Sequence, residues 1–498
     1  MARTSGDYLE AFGGDRFPRA RAYRDLTASR MMLREPTGLD RGFGFSERHV
    51  QAAWYDPTWR PHELRSLDGE PVWVDSPGVW NLEAGPDFLG AVLRVGRERR
   101  RVKGDVEIHL RASGWVQHGH ADDPRYRGVR AHVTWFPGKV PPERLPPGTI
   151  QITMQRALEA NPHFSFEAMD LTAYPYAARA EVPPCSTVLR GWSVEQRQAL
   201  LDAAGHERLR RKAAHLARRI ETQGAAQALY EETMAALGYK HNKAPFRELA
   251  ERVPVDVLRE IAKGDAETAY AVLMGVAGLL PEKAAASWDE ATRRYVRRLW
   301  DRWWKVRSRW EDACMAKDAW RVAGVRPANH PRRRLVAAAA LWTAAPKLEE
   351  RWASAPSGDG ARVVERVSDE LMALPPGPYW GPRLSLGGKR ALKPTALLGA
   401  SRVRAMVMNV WLPYLAAQPG IEFRAEWLEA LPRLGSHQIL RQAAHDLFGR
   451  DHTLKLYGTA MREQGVLQIF QDFCMNDRSR CARCPFPERL AAFRAEGG

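Results

Sequence analysis

The pattern of apolar and polar positions changes character along the chain. Between residues 70 and 136 it consists of short stretches rich in Val, Ile, Phe and Trp, separated by Gly, Pro or charged clusters, which is typical of β-strands. Before these stretches, Ser46 is placed as the N-cap of a short helix over 46–56, because apolar residues follow it at helical spacing. We predict strands at Pro71–Asp75, Asp87–Val95, Val102–Arg111, Val129–Phe136 and Ile150–Gln155.

From residue 193 onwards almost all of the periodicity is helical. Two proline-rich stretches precede this half: 137–148 is predicted as a long loop within the first domain, and 174–187 as a domain boundary. The fold class is therefore predicted to be α+β. The expected parts are an N-terminal extension (1–45), a mixed α/β domain (46–175), a linker (176–192), a large all-α domain (193–470) and a Cys-rich tail (471–498).

The composition is that of a globular protein. The chain has 498 residues, of which 45% are hydrophobic and 27% charged, so we expect several folded domains rather than wholesale disorder. Its apolar stretches are shorter than the ~20 residues of a spanning helix, and its first residues lack the pattern of a secretory signal. We therefore expect a cytoplasmic protein without a membrane partner.

The net charge of +16 indicates an anionic partner. Of the 75 basic residues, 13 are Lys and the remainder Arg, whose guanidinium group matches phosphate oxygens in shape and charge. A GC-rich genome would also explain the ratio of Arg to Lys, but it does not explain the net charge. We predict that nucleic acid, either DNA or RNA, is the partner. Four cations, Arg99, Arg100, Arg101 and Lys103, form a hairpin-like tip suited to a phosphate backbone, although a plain solvated turn has the same pattern.

Ionisable residues occur at alternate positions on one predicted strand. Asp105, Glu107 and His109 share a face because strand side chains alternate, and a hairpin would bring Asp87 beside Glu107. Buried carboxylates are costly unless they are paired or bound to a cation, and Mg²⁺ or Mn²⁺ prefers such oxygen ligands. The alternative is an exposed strand face, in which Asp105 belongs to a turn.

This arrangement resembles the superfamily of restriction-endonuclease-like PD-(D/E)xK nucleases. Pro86 and Asp87 match the first element of its motif, and the Glu107–His109 segment matches the second, with His109 in place of the usual Lys. The resemblance implies a nuclease-like domain in which Asp87 and Glu107 ligate catalytic Mg²⁺ or Mn²⁺. Glu47, on the preceding helix, corresponds to an extra acidic ligand that some members carry.

Two histidines follow the acidic strand. The spacing of His118, His120 and Asp122 resembles the start of the dinuclear zinc site in metallo-β-lactamase-like hydrolases, but that motif continues with a His where this chain has Asp123. In a nuclease, His118 and His120 would instead line the cleft of Glu107 and assist catalysis together with Asp105. A polar loop with incidental histidines is a further alternative.

Three cysteines, Cys474, Cys481 and Cys484, crowd into the C-terminal tail. Their spacing resembles the start of the iron–sulfur loop of helix-hairpin-helix DNA glycosylases, but a fourth Cys is replaced by Leu490. We predict that the cluster binds Zn²⁺ or a 4Fe–4S cluster with a further ligand from elsewhere in the chain. A reduced, metal-free cluster is the alternative.

Aromatic residues repeat in the basic segment 295–310. Trp300, Trp303 and Trp304 fall at helical spacing with Val296, so we expect that they pack into a core.

Six segments together resemble one uncharacterised bacterial family, the domain of unknown function 2851. They are NLEAGPDFLGA, GDVEIHLRASGWVQHGHADDPRY, GYKHNKAPFRELA, MGVAGLL, RPANHPRRRL and the terminal Cys cluster. The resemblance implies one full-length architecture and no established activity. The leading hypothesis is a metal-dependent nuclease whose helical domain binds nucleic acid. The alternatives are a non-catalytic nucleic-acid-binding protein with a degenerate nuclease core and a structural metal, and a zinc hydrolase using the HxHxD segment.

Overall fold

A computed structural model describes most of the chain and divides it into two compact units. The first comprises the described residues of Met1–Ser29, Leu189–Gln468 and Arg489–Gly498, and the second those of Arg30–Val188 and Ile469–Glu488. Parts of the predicted extension, linker and Cys-rich tail lie outside the described residues. The described residues are 16–32, 45–57, 59–81, 85–160, 164, 166, 169, 171, 174, 182–239, 242–322, 325–344, 347–353, 360–418, 421, 423–435, 438–449, 451–474, 481, 484–491 and 493.

The second unit is built on a seven-stranded mixed sheet, and the predicted strands are confirmed with shifts of a few residues at their ends. The sheet follows the order β1-β2-β4-β5-β6-β7, with β3 pairing to β4. The strands are β1 (Leu64–Arg65), β2 (Pro71–Ser76), β3 (Val79–Trp80), β4 (Phe88–Val95), β5 (Arg100–His109), β6 (Val129–Thr134) and β7 (Ile150–Thr153).

The strand directions change in the middle of the sheet. Strands β1 to β5 pair antiparallel, whereas β5, β6 and β7 run parallel, so residues 110–128 cross over between β5 and β6. The sheet also curls, because an isolated bridge between Ser66 and Ile152 joins its two edges. Both faces of β5 are buried at its carboxyl end, where Val106 and Ile108 alternate with Glu107 and His109.

Short helices accompany the strands. Helix α1 (Ala20–Met32) lies in the segment predicted as an extension and belongs mostly to the first unit, whereas α2 (Glu47–Tyr55), in the second unit, is the short helix expected after Ser46. Ser46 and His49 form a reciprocal capping box that fixes the start of α2. The crossover after β5 begins with α3 (Gly114–Gln117) and continues through 3₁₀ turns at His120–Asp122 and Pro124–Gly128; α4 (Gln155–Glu159) and α5 (Pro184–Arg190) follow β7.

The described part of the first unit is almost entirely helical, as the periodicity predicts. Its longest helix begins at Ser193, whose hydroxyl accepts a hydrogen bond from the Gln196 amide. The helices are α6 (Val194–Gln223), α7 (Ala225–Leu237), α8 (Lys243–Arg252), α9 (Val255–Ala262), α10 (Ala266–Val276), α11 (Glu290–Trp304), α12 (Pro331–Thr343), α13 (Leu348–Ala353), α14 (Gly360–Met372), α15 (Gly377–Trp380), α16 (Ala400–Met406), α17 (Leu412–Ala417), α18 (Glu426–Glu429), α19 (Gln438–Phe448), α20 (Ala460–Ile469) and α21 (Phe486–Leu490), where Ile469 and most of α21 fall to the second unit. Two π-turns, Val407–Trp411 and Phe470–Cys474, follow α16 and α20.

Small residues allow the helices of the first unit to approach closely. A Cβ at Gly465 of α20 would stand 2.0 Å from the carbonyl oxygen of Leu201 on α6. A Cβ at Gly205 of α6 would likewise stand 2.4 Å from the carbonyl oxygen of Met461. The crossing of α6 and α20 therefore requires glycine on both helices.

The aromatic repeat on α11 is only partly a core stripe. Val296 and Trp303 are buried, and Trp300 is half-buried with its indole N–H bonded to the Pro281 carbonyl. Trp304 is 58% exposed, so the expectation that it packs into the core is wrong. It is the last residue of α11, and the guanidinium of Arg307 stacks 3.6 Å from its ring centre.

Among the helices that the structure describes, none combines the length and the apolar character needed to cross a bilayer.

Candidate functional site

The hairpin of β4 and β5 brings two carboxylates together. Phe88 pairs with Val106, and this register places Asp87 directly beside Glu107. The Asp87 amide donates a 3.1 Å hydrogen bond to Oε2 of Glu107, and Oδ2 of Asp87 accepts one of 2.9 Å from the Ile108 amide. Each acidic residue is therefore held by the backbone of the other strand, and the geometry agrees with the predicted hairpin.

Helix α2 adds two side chains to this pair. Oε1 of Glu47 accepts a 3.3 Å hydrogen bond from the Leu110 amide at the end of β5. Gln51, one turn further along α2, donates a 2.7 Å hydrogen bond to Oδ1 of Asp87. Glu47 therefore lies at the same end of the sheet as Asp87 and Glu107.

Histidines converge on the other oxygen of Glu107. Nε2 of His120 lies 3.0 Å from Oε1 of Glu107, and Nε2 of His109 lies 3.6 Å from the same atom. Nε2 of His109 is also 3.1 Å from Nδ1 of His118. Within the described part of the chain, His109, His118 and His120 are the one group of three His, Cys, Asp or Glu residues whose ligand atoms all lie within 4.8 Å of one another.

Two residues fix the ring of His109. Nδ1 of His109 lies 3.0 Å from Nε2 of His132. His132 is the residue of β6 that pairs with Glu107 of β5, so the side chains of His132 and Glu107 lie on the same face of the sheet. On the other side, a Cβ at Gly114 would stand 2.6 Å from Cδ2 of His109. The absence of a side chain at Gly114 therefore lets α3 pack against the imidazole.

Aromatic rings enclose the buried side of the cluster. His120 stacks on Tyr126 with ring centres 3.9 Å apart, and Trp115 packs edge-on against both His120 and His132. His109 and His120 are almost completely buried, whereas His118 is exposed. The cluster thus has an apolar floor and one histidine at the solvent side.

Burial makes negative charge unfavourable at the two carboxylates. Burial raises the pKa of Asp87 well above its ordinary value, and the neighbouring charge of Glu107 raises it further. Burial likewise raises the pKa of Glu107, to which the charge of Glu47 adds. Backbone hydrogen bonds oppose both shifts but are smaller in effect. A cation placed here would relieve the repulsion and keep both groups ionised.

The buried histidines are neutral for the same physical reason. Burial lowers the pKa of His109 well below its ordinary value, and the adjacent imidazoles lower it further. Burial lowers the pKa of both His120 and His132 to about 4. At neutral pH these rings therefore carry a free lone pair on one nitrogen each, which is the form that binds metals or accepts protons.

The remaining acidic candidates lie differently. Asp105 sits at a register shift in β5, and its Oδ1 accepts a 2.9 Å hydrogen bond from the Gly90 amide, so the carboxylate is tied to the backbone of β4. Asp122 is exposed, and the carboxylate of Asp123 binds the guanidinium of Arg125. None of these three aspartates belongs to the group of converging ligand atoms among the described residues. The HxH part of the HxHxD segment therefore joins Glu107 and His109 instead.

The basic tip begins at the turn that joins β4 to β5, with Arg99 in the turn and the other three cations on the first residues of β5. Arg99, Arg100, Arg101 and Lys103 are all exposed, and Arg99 adopts a positive φ of 53° with its guanidinium 4.7 Å from the ring centre of Trp73. Arg101 lies six positions before Glu107 on β5, which is roughly 20 Å at strand rise. The cations thus follow the same strand as the acidic site and stand a few phosphate spacings away.

The cysteines lie in the second unit, in the segment Ile469–Glu488. Cys474, Cys481 and Cys484 are all partly buried and are not joined in disulfides. Among the described residues they do not form a group with all ligand atoms within 4.8 Å. Their binding of Zn²⁺ or a 4Fe–4S cluster stays a prediction.

Three residues that contact the cluster were not predicted as site residues from the sequence. Gln51 and Gly114 carry no local signal, because a glutamine on a helix and a glycine after a turn are ordinary. His132 does carry a sequence signal, because it lies between the apolar residues Ala131 and Val133 in the middle of a predicted strand. A buried polar residue on such a strand needs a partner, and here the partner is His109.

The fold and the cluster together define an α+β protein with a buried carboxylate–histidine centre. The chain matches the sequence model of a family described as "Protein of unknown function (DUF2851)" over residues 47–436. Because this match spans well over half of the chain, the chain belongs to that family. Comparisons with curated proteins and with solved structures find no match.

Proposed function

We propose that the protein is a metal-dependent nuclease that hydrolyses phosphodiester bonds of nucleic acid. The observation that carries the proposal is the contact between Asp87 and Glu107. The amide of Asp87 donates a hydrogen bond to the buried carboxylate of Glu107, so the two carboxylates lie on neighbouring residues across one hairpin, and a third, Glu47, adds its charge from α2. Such a concentration of negative charge is favourable only beside a cation.

The residues that would hold the ion are Asp87, Glu107 and Glu47. Bound there, Mg²⁺ or Mn²⁺ would supply Lewis-acid stabilisation of the charge that develops on the phosphoryl oxygens. In the reaction, the oxygen of a water molecule would bond to phosphorus and lose a proton, while the bond from phosphorus to the leaving oxygen would break and that oxygen would take up a proton from solvent. His109, which takes the place of the usual Lys, is neutral and lies 3.6 Å from Glu107, so its lone pair can accept that proton or bind the ion.

The basic tip supports a polymeric substrate. Arg99, Arg100, Arg101 and Lys103 stand exposed on the strand that leads into Glu107. Contacts from these cations to phosphates would orient a strand along β5 without reading its sequence. The net charge of +16 would add long-range attraction for a polyanion.

The test is a cleavage assay on the purified full-length chain. Fluorescent single- and double-stranded DNA and RNA are incubated with Mg²⁺, Mn²⁺ or Zn²⁺, and products are resolved on gels. We expect cleavage by the wild type and a loss on the order of 100-fold or more in Asp87→Asn and in Glu107→Gln, because Lewis-acid stabilisation is worth several kcal/mol. Asp68→Asn, at an exposed carboxylate of the same unit, is the matched control and should keep full activity.

Other outcomes would point elsewhere. Full activity in Asp87→Asn and Glu107→Gln, with circular dichroism unchanged, would refute the proposal. Salt-dependent binding without turnover under any divalent ion would favour the non-catalytic binding protein. A requirement for Zn²⁺ together with hydrolysis of small esters alone would favour the zinc hydrolase.

A further inference from the structure

The distances between the converging atoms match the edges of a small coordination polyhedron. A tetrahedral zinc site with bonds near 2.05 Å places its ligand atoms about 3.3 Å from one another. Oε1 of Glu107 lies 3.0 Å from Nε2 of His120 and 3.6 Å from Nε2 of His109, and the latter lies 3.1 Å from Nδ1 of His118. Each of these three neighbouring pairs is therefore at the spacing of two ligands around one ion, and the ligand atoms of the three histidines all lie within 4.8 Å of one another.

We propose that Glu107, His109, His118 and His120 form a binding site for a first-row transition-metal ion, with Zn²⁺ as the preferred occupant. Imidazole nitrogen suits Zn²⁺ far better than it suits Mg²⁺, which selects oxygen ligands. The carboxylate supplies a negative charge, and the exposed position of His118 gives the ion a path from solvent. This inference rests on the ligand geometry and holds whether or not the protein cleaves nucleic acid.

The hydrogen bonding of the cluster supports the same assignment. Nε2 of His120 lies 3.0 Å from Glu107, yet it makes no hydrogen bond with any described residue, so the two atoms are close without the alignment of a donor and an acceptor. An ion between them would use both lone pairs. Burial lowers the pKa of His120 to about 4, so its ring is neutral at neutral pH and one of its two nitrogens carries a lone pair.

His132 is the positioning residue of this site. With Nε2 of His109 turned toward the ion, the Nδ1–H of His109 faces Nε2 of His132 at 3.0 Å and can donate to it. This chain of two imidazoles selects the tautomer of His109 that presents its lone pair to the cluster. The far nitrogen of His132, Nδ1, is buried and has no hydrogen-bond partner among the described residues.

The test is a metal titration of the full-length chain after removal of bound ions by chelation. Zn²⁺ affinity is measured by calorimetry, and Co²⁺ is used as a spectroscopic probe, because nitrogen and oxygen ligands give visible d–d bands without the near-ultraviolet charge transfer of thiolates. We expect His118→Ala, at an exposed side chain, to weaken Zn²⁺ binding at this site at least 100-fold and to remove the thiolate-free Co²⁺ bands. Glu107→Gln should do the same. His62→Ala, at another exposed histidine of the same unit, is the control and should bind like the wild type.

The role of His132 is read from the spectrum. His132→Ala should lower Zn²⁺ affinity roughly 10- to 100-fold and shift the Co²⁺ bands, while His132→Asn, which keeps a side-chain acceptor, should restore part of the affinity. Unchanged Zn²⁺ stoichiometry, affinity and Co²⁺ bands in both His118→Ala and Glu107→Gln would overturn the site. If the Co²⁺ spectra of every variant were dominated by thiolate charge-transfer bands, the metal would be bound by the cysteines, and this result would also overturn the proposed site. Since no substrate is present, neither result bears on Mg²⁺- or Mn²⁺-dependent cleavage.

Discussion

Oε2 of Glu107 accepts a hydrogen bond from the amide of Asp87, while Oε1 of the same carboxylate faces His120 and His109. Glu107 is thus the one side chain shared by the acidic hairpin and the histidine cluster among the described residues. Its position on β5, between strands β4 and β6, makes this double contact possible. Changes at Glu107 should therefore affect everything that the centre does.

We expect Glu107→Gln to abolish the stabilisation of the fold by Zn²⁺. In the wild type, Zn²⁺ should raise the free energy of unfolding by about 2.7 kcal/mol at a hundredfold excess over Kd. Glutamine keeps the shape but lacks the charge, so this increment should vanish. Without metal, the variant should be at least as stable as the wild type, because glutamine neither buries a charge nor has to take up a proton to avoid one. Thermal melts with Zn²⁺ and with chelator check both points, and a retained Zn²⁺ increment would contradict the assignment.

The absence of a side chain at Gly114 should be important for Zn²⁺ affinity, although Gly114 is not itself a ligand. Gly114→Ala would place a methyl group 2.6 Å from Cδ2 of His109, so the imidazole or α3 must shift. We expect a 10- to 100-fold loss of Zn²⁺ affinity, comparable to the loss of an outer-shell partner, with the fold retained. Calorimetry and circular dichroism measure the two effects. Gly399→Ala, where an added Cβ meets nothing within 4 Å, should leave both unchanged.

Local sequence patterns predicted the acidic half of the centre better than the histidine half. Alternation and a Gly-Pro turn were enough to place Asp87 beside Glu107, because an antiparallel hairpin brings neighbouring strands together. His132 reaches His109 across a parallel pair whose register depends on the whole crossover 110–128. Parallel register is a tertiary property, so no local pattern specifies it.

The alternation of side chains along a strand also failed to predict one position within β5. Asp105 was expected beside Glu107 at i+2, but register shifts at this point tie its carboxylate to the Gly90 amide. Helical spacing likewise gave a wrong prediction for Trp304, which is the last residue of α11 and is exposed. Trp303, by contrast, is packed: a Cβ at Gly275 of α10 would stand 2.3 Å from its ring.

Neutralising the basic tip should weaken nucleic-acid binding without changing its sequence preference. The triple variant Arg100→Gln, Arg101→Gln and Lys103→Gln removes three exposed cations. If each contacts a phosphate, the slope of log K against log salt should become shallower by about 2 to 3. Fluorescence anisotropy over a salt series measures the slope. Lys139→Gln, at an exposed cation paired with Asp68, is the control, and equal slopes for the triple variant and this control would exclude the tip as a contact.

The stability of the first unit should depend on the absence of a side chain at Gly465. Gly465→Ala would bring a Cβ within 2.0 Å of the Leu201 carbonyl oxygen, and a backbone atom on a helix cannot move aside alone. We expect a loss of about 1–3 kcal/mol in the free energy of unfolding, or more where α20 separates from α6. Urea denaturation followed by circular dichroism measures it. In Gly458→Ala the nearest atom would be at an ordinary 3.5 Å, so this control should change stability by less than about 0.5 kcal/mol.

His206 gives the first unit a defined dependence on pH. Its ring is completely buried on α6, and neither nitrogen has a hydrogen-bond partner among the described residues. Burial, together with the positive charge of Arg19, lowers the pKa of His206 to about 3. The unfolded chain binds a proton at this residue below about pH 6.5, whereas the folded chain does not until about pH 3. Stability from this group is therefore present at neutral pH and is lost as the pH falls through that window.

His206→Leu should abolish this loss. Each pH unit inside the window costs the wild type about 1.4 kcal/mol, so at about pH 5 the variant should have gained about 2 kcal/mol relative to the wild type compared with about pH 7.5. Comparing the two proteins at each pH cancels the contributions of all other titrating groups. Urea denaturation at both pH values measures the difference, and His62→Leu, at an exposed histidine, should show none. A stability difference between His206→Leu and the wild type that does not change with pH would mean that His206 takes up its proton equally well in the folded and the unfolded chain, which would contradict the lowered pKa.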